Sequence, residues 1–297
     1  MSGSRPGRVV IAHLFPDLLN LYGDHGNVET LVRRATWRGL ATEVRRVNPG
    51  DANALRDVDV LFVGGGADRH QRLVADALVA LSEPLRAAVA DGAALLAVCA
   101  GYQSLGHVYR SRLVGELRGP GLLDVETDVP ADGERLVGGL VIELGADSPI
   151  MAAGDRASGA GAGANRLVGF ENHAGRTRLG STLQPLGRVV VGRGNDDGGR
   201  DEGAIALPGA GGIAGLRIGT YLHGPLLPRN PHLADFVLAC GIARGMGVPL
   251  APLPSPAEWT AHARFEADWR AINPGAKRRS RPGRVAGRLA VLAAALR

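Results

Sequence analysis

Short apolar runs alternate with amphipathic stretches through the first hundred residues. Residues 9–14 are an apolar run after a polar start and predict a first strand. The spacing over 28–38 predicts a helix stopped by Gly39, and residues 42–47 and 60–63 predict the next two strands. The third strand runs into Gly64-Gly65-Gly66. Residues 69–89 read as helical, with Pro84 marking a break or restart. Residues 93–98 are continuously apolar, as in a strand buried on both faces, and 100–109 read as the helix that follows. This β-α-β-α alternation predicts an α/β fold: a parallel sheet covered on both faces.

Beyond residue 110 the pattern weakens. Strands are predicted over 136–144, 166–170, 188–191 and 216–222. The stretches 153–165 and 192–203 are poor in large apolar residues and read as loops or insertions. Asn230-Pro231 is a helix start with Asn as N-cap and Pro in the first turn, and that helix should run to about residue 244. Ser255-Pro256-Ala257-Glu258 has the capping-box pattern of a last helix, ending near Asn273-Pro274-Gly275. The organisation expected is a main domain over 1–250, a C-terminal helix over 251–276 and a basic tail over 277–297.

Composition narrows the class. Of 297 residues, 44 are Gly and only 4% are aromatic, so the core must be built of Ala, Val and Leu around many tight turns. Two cysteines, Cys99 and Cys240, exclude a disulfide scaffold and a four-Cys zinc site. No apolar run reaches the roughly 18–20 residues of a membrane span, and the first eight residues lack the apolar stretch of a secretory signal. A cytoplasmic protein is expected. The net charge of +5 resides in the tail: residues 277–297 hold seven cations and no acid. The rest has 27 cations against 29 anions, so the body offers no nucleic-acid surface.

Chemistry concentrates at two strand ends. Cys99 ends a predicted strand, precedes a predicted helix, and has the small residues Ala97 and Gly101 two positions to either side. A nucleophile elbow needs that spacing, because the sharp turn lifts the side chain above the sheet. A helix N-terminus there would favour the thiolate and lower the pKa. The same thiol also suits an inert core position. Cys240, inside the predicted helix 231–244, reads as core. His223 follows an apolar run and is pinned by Gly224-Pro225, at a strand end matching that of Cys99. There it is either a structural imidazole or a general base for the thiol. The Gly64–Gly66 triplet is either an ordinary βα turn or a source of backbone N–H donors for an oxyanion. It lacks the G-x-G-x-x-G spacing and the lysine of phosphate-binding loops.

Longer motifs carry a resemblance. Val98-Cys99-Ala100-Gly101-Tyr102-Gln103 resembles the nucleophile motif of class I glutamine amidotransferases. Residues 169–177, GFENHAGRT, and 220–225, TYLHGP, resemble two motifs of the cobyric acid synthase-type branch. Residues 14–27 and 64–71 are similar to those of the glutaminase subunits of lipid II isoglutaminyl synthases. The resemblance covers residues 8–245. It implies the three-layer class I amidotransferase fold, Cys99 as nucleophile, His223 as its base, and an oxyanion hole from Gly65 or Gly66 together with Ala100. It also implies an arginine that holds glutamine, for which Arg135 is the candidate, and a glutamine pocket lined by Gln103, Glu171, Asn172 and His173. A strand end with ordinary hydrogen bonds accounts equally for the last three. Tyr22, Asp24 and Asn27 border the pocket or the partner, or form a capped turn. The position two residues after the histidine, acidic in many such enzymes, is Pro225, so a Cys–His dyad is expected.

The resemblance further implies L-glutamine as substrate and no cofactor or metal in this chain. ATP and Mg would belong to a Mur-ligase-like partner that amidates lipid II in a heterodimer. A corrinoid amidotransferase and a non-catalytic partner of a ligase are the competing readings. The tail, with Val285, Leu289, Leu292 and Leu296 at helical spacing among arginines, suits contact with an anionic membrane, docking on the partner, or a solvated segment.

Overall fold

The computed structural model describes residues 7–151, 163–196, 198–246 and 250–272. The basic tail, the end of the last helix at 273–275, and most of the predicted loop 153–165 lie outside these residues.

The first strands form as the pattern predicts: β1 (Arg8–Leu14), β2 (Ala41–Val47), β3 (Val60–Val63) and β4 (Ala94–Val98). With β13 (Ala204–Ala206) and β14 (Arg217–Thr220) they make one six-stranded sheet in the order β13-β14-β4-β3-β1-β2. All pairs are parallel except β13 with β14. The chain steps from β1 to β2 in one direction and from β3 to β4 in the other. Right-handed crossovers therefore place α1 (His25–Thr36) on one face, and α2 (Gln71–Ala80) and α3 (Ser82–Ala90) on the opposite one. Direction reverses between β1 and β3, so the loops at their carboxyl ends part and leave a crevice. β3 and β4 are wholly buried, consistent with their unbroken apolar sequences.

Pro84 divides α2 from α3, but the break falls at Leu81. A proline ring clashes with the carbonyl four residues earlier, which here is Ala80, the last residue of α2. The helix expected over 100–109 is only α4 (Ala100–Ser104). At Gly106 the chain lies so close to β7 that a side chain would sit 2.6 Å from the Val125 carbonyl oxygen, and the rest extends into β5 (Val108–Ser111).

Two further sheets complete the fold. One, which went unread in the sequence, has the order β10-β7-β5-β6, from β6 (Gly115–Arg118), β7 (Val125–Asp128) and β10 (Arg176–Leu179) with β5. Its strands are four residues long and partly exposed, so they leave no long apolar run. The other has the order β12-β11-β8-β9, from β8 (Leu136–Glu143), β9 (Arg166–His173), β11 (Gly187–Val191) and β12 (Asp201–Glu202), and the strands predicted over 136–144, 166–170 and 188–191 all fall in it. β9 extends past the predicted 166–170 because eight residues pair with β8.

Three helices follow: α5 (Leu226–Arg229), α6 (Pro231–Met246) and α7 (Pro256–Ile272). The buried Arg34 of α1 ties them together. Its guanidinium donates to both carboxylate oxygens of Asp235 on α6, at 2.6 and 2.7 Å, and to Ser255 Oγ ahead of α7 at 3.1 Å. Arg38 reaches the same aspartate at 2.8 Å. This anchors the helix whose first turn faces the crevice. Removing one partner of a buried ion pair strands the other charge, at a cost of about 3–5 kcal/mol. Asp235→Ala should lower the unfolding free energy in a denaturant titration by that amount, whereas Arg34→Met/Arg38→Met/Asp235→Leu, which strands no charge on this aspartate, should recover most of it. A loss below about 1 kcal/mol for the single variant would show the pair to be incidental.

Candidate active site

β4 ends in a backbone corner. Cys99 has φ 49° and ψ −105°, a left-handed conformation that costs a non-glycine residue about 1–3 kcal/mol. Three hydrogen bonds hold it there: Cys99 N–H to the Thr220 carbonyl at 2.8 Å, Gln103 N–H to the Cys99 carbonyl at 2.9 Å, and Gly101 N–H to the Gly64 carbonyl at 3.1 Å. A side chain at position 101 would lie 2.7 Å from the Val63 carbonyl oxygen, so this approach of α4 to β3 requires glycine. The thiol is thereby lifted above the carboxyl edge of the sheet.

β14, paired with β4, delivers His223 to the same edge. The His223 backbone exchanges hydrogen bonds with Phe170 of β9. Its ring is fully buried, with Phe170 stacked on it at 5.4 Å and Tyr22 edge-on at 5.1 Å. Neither ring nitrogen has a hydrogen-bond partner, so packing orients the imidazole. Pro225, where an acid was absent, packs against the first turn of α1: a side chain on Gly26 would lie 2.7 Å from its Cγ. Asn27 of that turn accepts the Leu227 N–H at 2.8 Å, so the motif around residue 26 and the motif after His223 meet in space.

Cys99 and His223 converge on Gly65. A side chain there would lie 2.8 Å from His223 Cε1 and 3.5 Å from Cys99 Cβ, so glycine is what keeps the space between them open. The Gly65 N–H is not aimed into that space. It donates to the buried Asp24 carboxylate at 2.5 Å, a contact that removes it from the expected oxyanion donors and leaves Gly66 and Ala100. Asp24 comes from the loop after β1, in a motif that the sequence alone left open as a turn.

The expected glutamine contacts divide by strand alternation. On β9, Phe170 and Asn172 face the crevice, while Glu171 and His173 face the other way. The Glu171 carboxylate accepts the N–H groups of Arg193 and Gly194, each at 2.8 Å. His173 is bonded to the Gly175 carbonyl and stacks on Tyr221 with ring centres 3.5 Å apart. Gln103 is buried, its amide oxygen accepting from Gln71 and its amide nitrogen donating to the Tyr221 hydroxyl, both at 3.1 Å. These three support the site from behind instead of lining it. Asn172 and Arg135 do lie at the mouth. Arg135 donates to Asn172 Oδ1 at 2.9 Å and to Asp68 at 3.1 Å, and Asn172 donates to the Tyr22 hydroxyl. Residues 22, 68, 135 and 172 thus form a polar strap over the dyad. Asp68 and Phe170 were not singled out from the sequence, although both stand inside the quoted motifs.

Burial sets the charge state. Desolvation, with Asp24 next in size, pushes the Cys99 thiol up to about 12. Desolvation, aided by His173 and Arg135, pushes His223 down to about 3. This reverses the lowered thiol pKa expected from a helix N-terminus: α4 has five residues, too short a helix to offset burial. Both groups are neutral at pH 7 in this closed arrangement. Only the thiolate is alkylated, so iodoacetamide labelling of the Cys99 peptide in the isolated chain should still rise steeply between about pH 10 and 11. A free thiol has its midpoint at about 8.5 and levels off by about pH 10. A plateau by that pH would refute the buried-thiol description.

The profile of the CobB/CobQ-like glutamine amidotransferase domain matches residues 10–231. Subunit GatD of the glutamine-hydrolysing lipid II isoglutaminyl synthase of Staphylococcus aureus is 36% identical over 244 residues, covering 82% of this chain and 88% of that protein. Its counterpart from Streptococcus pneumoniae is 31% identical, covering 82% and 85%. A cobyric acid synthase of Nocardia farcinica is 32% identical over 59% of this chain but 30% of its own length. The matched residues carry the Cys99 corner, the Gly64–Gly66 turn and the strand end of His223 alike, and the chain belongs to the CobB/CobQ-like glutamine amidotransferase family.

Proposed function

We propose that this chain is the glutamine-hydrolysing subunit of a lipid II isoglutaminyl synthase, with Cys99 and His223 as a catalytic dyad. The observation that carries this reading is the convergence of a thiol on a strained corner and an imidazole on a single glycine at the carboxyl edge of the sheet. The near end-to-end alignment with two GatD subunits supports the subunit reading over the corrinoid one, because the cobyric acid synthase is matched over only 30% of its length.

The chemistry follows from the charge state. With both members neutral, the proton leaves Cys99 Sγ for His223 as the sulfur attacks the side-chain carbonyl carbon of L-glutamine. The oxyanion of the tetrahedral intermediate is met by the Gly66 and Ala100 N–H groups, each such donor being worth about 3–4 kcal/mol of barrier. The imidazolium gives its proton to the amide nitrogen, the C–N bond breaks, and ammonia leaves a thioester. Water then loses a proton to His223 and attacks the thioester, and the sulfur departs with that proton, leaving glutamate. Entry of glutamine displaces the strap, which admits polar groups and relieves the desolvation holding both groups neutral.

Arg135 stands where an α-carboxylate would arrive, and it must exchange Asp68 for it. An exposed pair of this kind is worth at most about 1 kcal/mol, so the exchange is inexpensive. Ammonia passes to a Mur-ligase-like partner, whose ATP and Mg would activate the α-carboxyl of D-glutamate in lipid II. Cytoplasmic placement, at the inner membrane face where that substrate resides, belongs to the same proposal.

The test is ammonia release from glutamine by the complex with its partner, and amidation of lipid II. Cys99→Ala should abolish both, and supplied ammonium should restore amidation alone. Equal ammonia release by the wild-type and Cys99→Ala complexes would sink the reading. Arg135→Ala should raise KM for glutamine by about tenfold or more with kcat within about threefold, the mark of lost ground-state binding. An unchanged KM would take Arg135 out of the pocket.

A further inference from the structure

We propose that Asp24 is a positioning residue of this site: its buried carboxylate holds the peptide between Gly64 and Gly65, turning the Gly65 N–H away from the reaction space so that the Gly66 N–H, and not that of Gly65, meets the oxyanion. The inference rests on the glutaminase reading above and assigns a role to a residue that takes no part in the proton transfers.

The segment after β1 grips Gly65 from both sides. Asp24 Oδ2 accepts the Gly65 N–H at 2.5 Å, and the Leu21 N–H donates to the Gly65 carbonyl at 3.0 Å. The preceding carbonyl, that of Gly64, is held by the Gly101 N–H of α4 at 3.1 Å. Every polar group from the Gly64 carbonyl to the Gly65 carbonyl is thus engaged. The peptide is trans, so the Gly66 N–H points opposite to the Gly65 carbonyl and away from Leu21. Among the described residues it has no acceptor. A side chain on Gly66 would lie 3.8 Å from Ala100 Cβ, which puts this amide beside the second expected donor.

Asp24 is suited to this task and poorly suited to others. It is fully buried; among the described residues it pairs with no cation, and its other oxygen accepts from Asn27 Nδ2 at 3.4 Å. Burial pushes the carboxyl up to about 7, so an acceptor oxygen matters more here than a charge. Through Asn27 the same residue is linked to the backbone that follows His223, so one loop sets the oxyanion peptide and steadies the segment bearing the base.

The experiment compares wild type, Asp24→Ala and Asp24→Asn as full chains in complex with the partner, reading glutamine hydrolysis and thermal unfolding. Asp24→Ala should lower kcat by about 100-fold with KM within about threefold, because the lost contact acts in the transition state. Asp24→Asn keeps a carbonyl oxygen at the same reach and should stay within about fivefold of wild type. Iodoacetamide alkylation of Cys99 builds no oxyanion and should not be slowed in either variant. Where Asp24→Ala does not fold, Asp24→Ser, whose hydroxyl cannot reach Gly65, is read in its place. The inference is overturned if kcat is kept without the acceptor, if the asparagine variant is as impaired as the alanine one, if the loss falls on KM, or if alkylation slows in parallel. A wild-type complex that releases no more ammonia than its Cys99→Ala form fails at an earlier arm and removes the glutaminase reading itself.

Discussion

The backbone corner at Cys99 is the constraint on which the rest of the site depends. A left-handed conformation at a residue with a side chain persists only when its surroundings over-determine it. Here β14 accepts the Cys99 N–H, the Gly64 carbonyl accepts the Gly101 N–H of α4, and glycine at position 101 lets α4 approach β3. Each of these contacts also places another component. The bond to Thr220 fixes the strand that ends in His223, and the bond to Gly64 fixes the turn that carries the backbone donors. Strain at one residue and the convergence of four strand ends are two aspects of one arrangement.

Closure gives the site its electrostatic character. Phe170 and Tyr22 cover the imidazole, and the Arg135–Asp68–Asn172 contacts draw the covering segments together. Excluding water makes both thiolate and imidazolium expensive, so Cys99 and His223 are both neutral in this arrangement. The strap residues come from elements far apart in sequence, so its stability reflects the packing of the whole crevice and not any one loop.

The C-terminal helices bear on the site through α1. Arg34 bonds α6 and the start of α7 to the last turn of α1, while the first turn of α1 carries Gly26 and Asn27 against the segment after His223. A buried ion pair of this geometry adds little net stability over an apolar substitute, yet it specifies where the helix lies. In this fold that register decides whether Asp24 reaches Gly65.

Local patterning was enough to reveal the parallel core. Strands buried on both faces are unbroken apolar runs, and glycines at 64–66 and 101 mark close backbone approaches that no other residue allows. The placement of Cys99 and His223 at neighbouring strand ends was legible for the same reason: it depends on a strand end and its immediate neighbours. Tertiary structure alone decided the remainder. β5, β6 and β7 are four residues each and only partly buried, too short to leave a periodic signal. Glu171, His173 and Gln103 carry polar groups that suit a pocket, but the pleat of β9 and the depth of α4 turn them inward, whereas Phe170, an apolar residue by composition, faces the imidazole. The Gly65 N–H is taken up by Asp24, which lies 41 residues away in sequence. The thiol's acidity was misjudged from sequence because helix polarity is a local property, while desolvation is the sum of everything that packs around the sulfur.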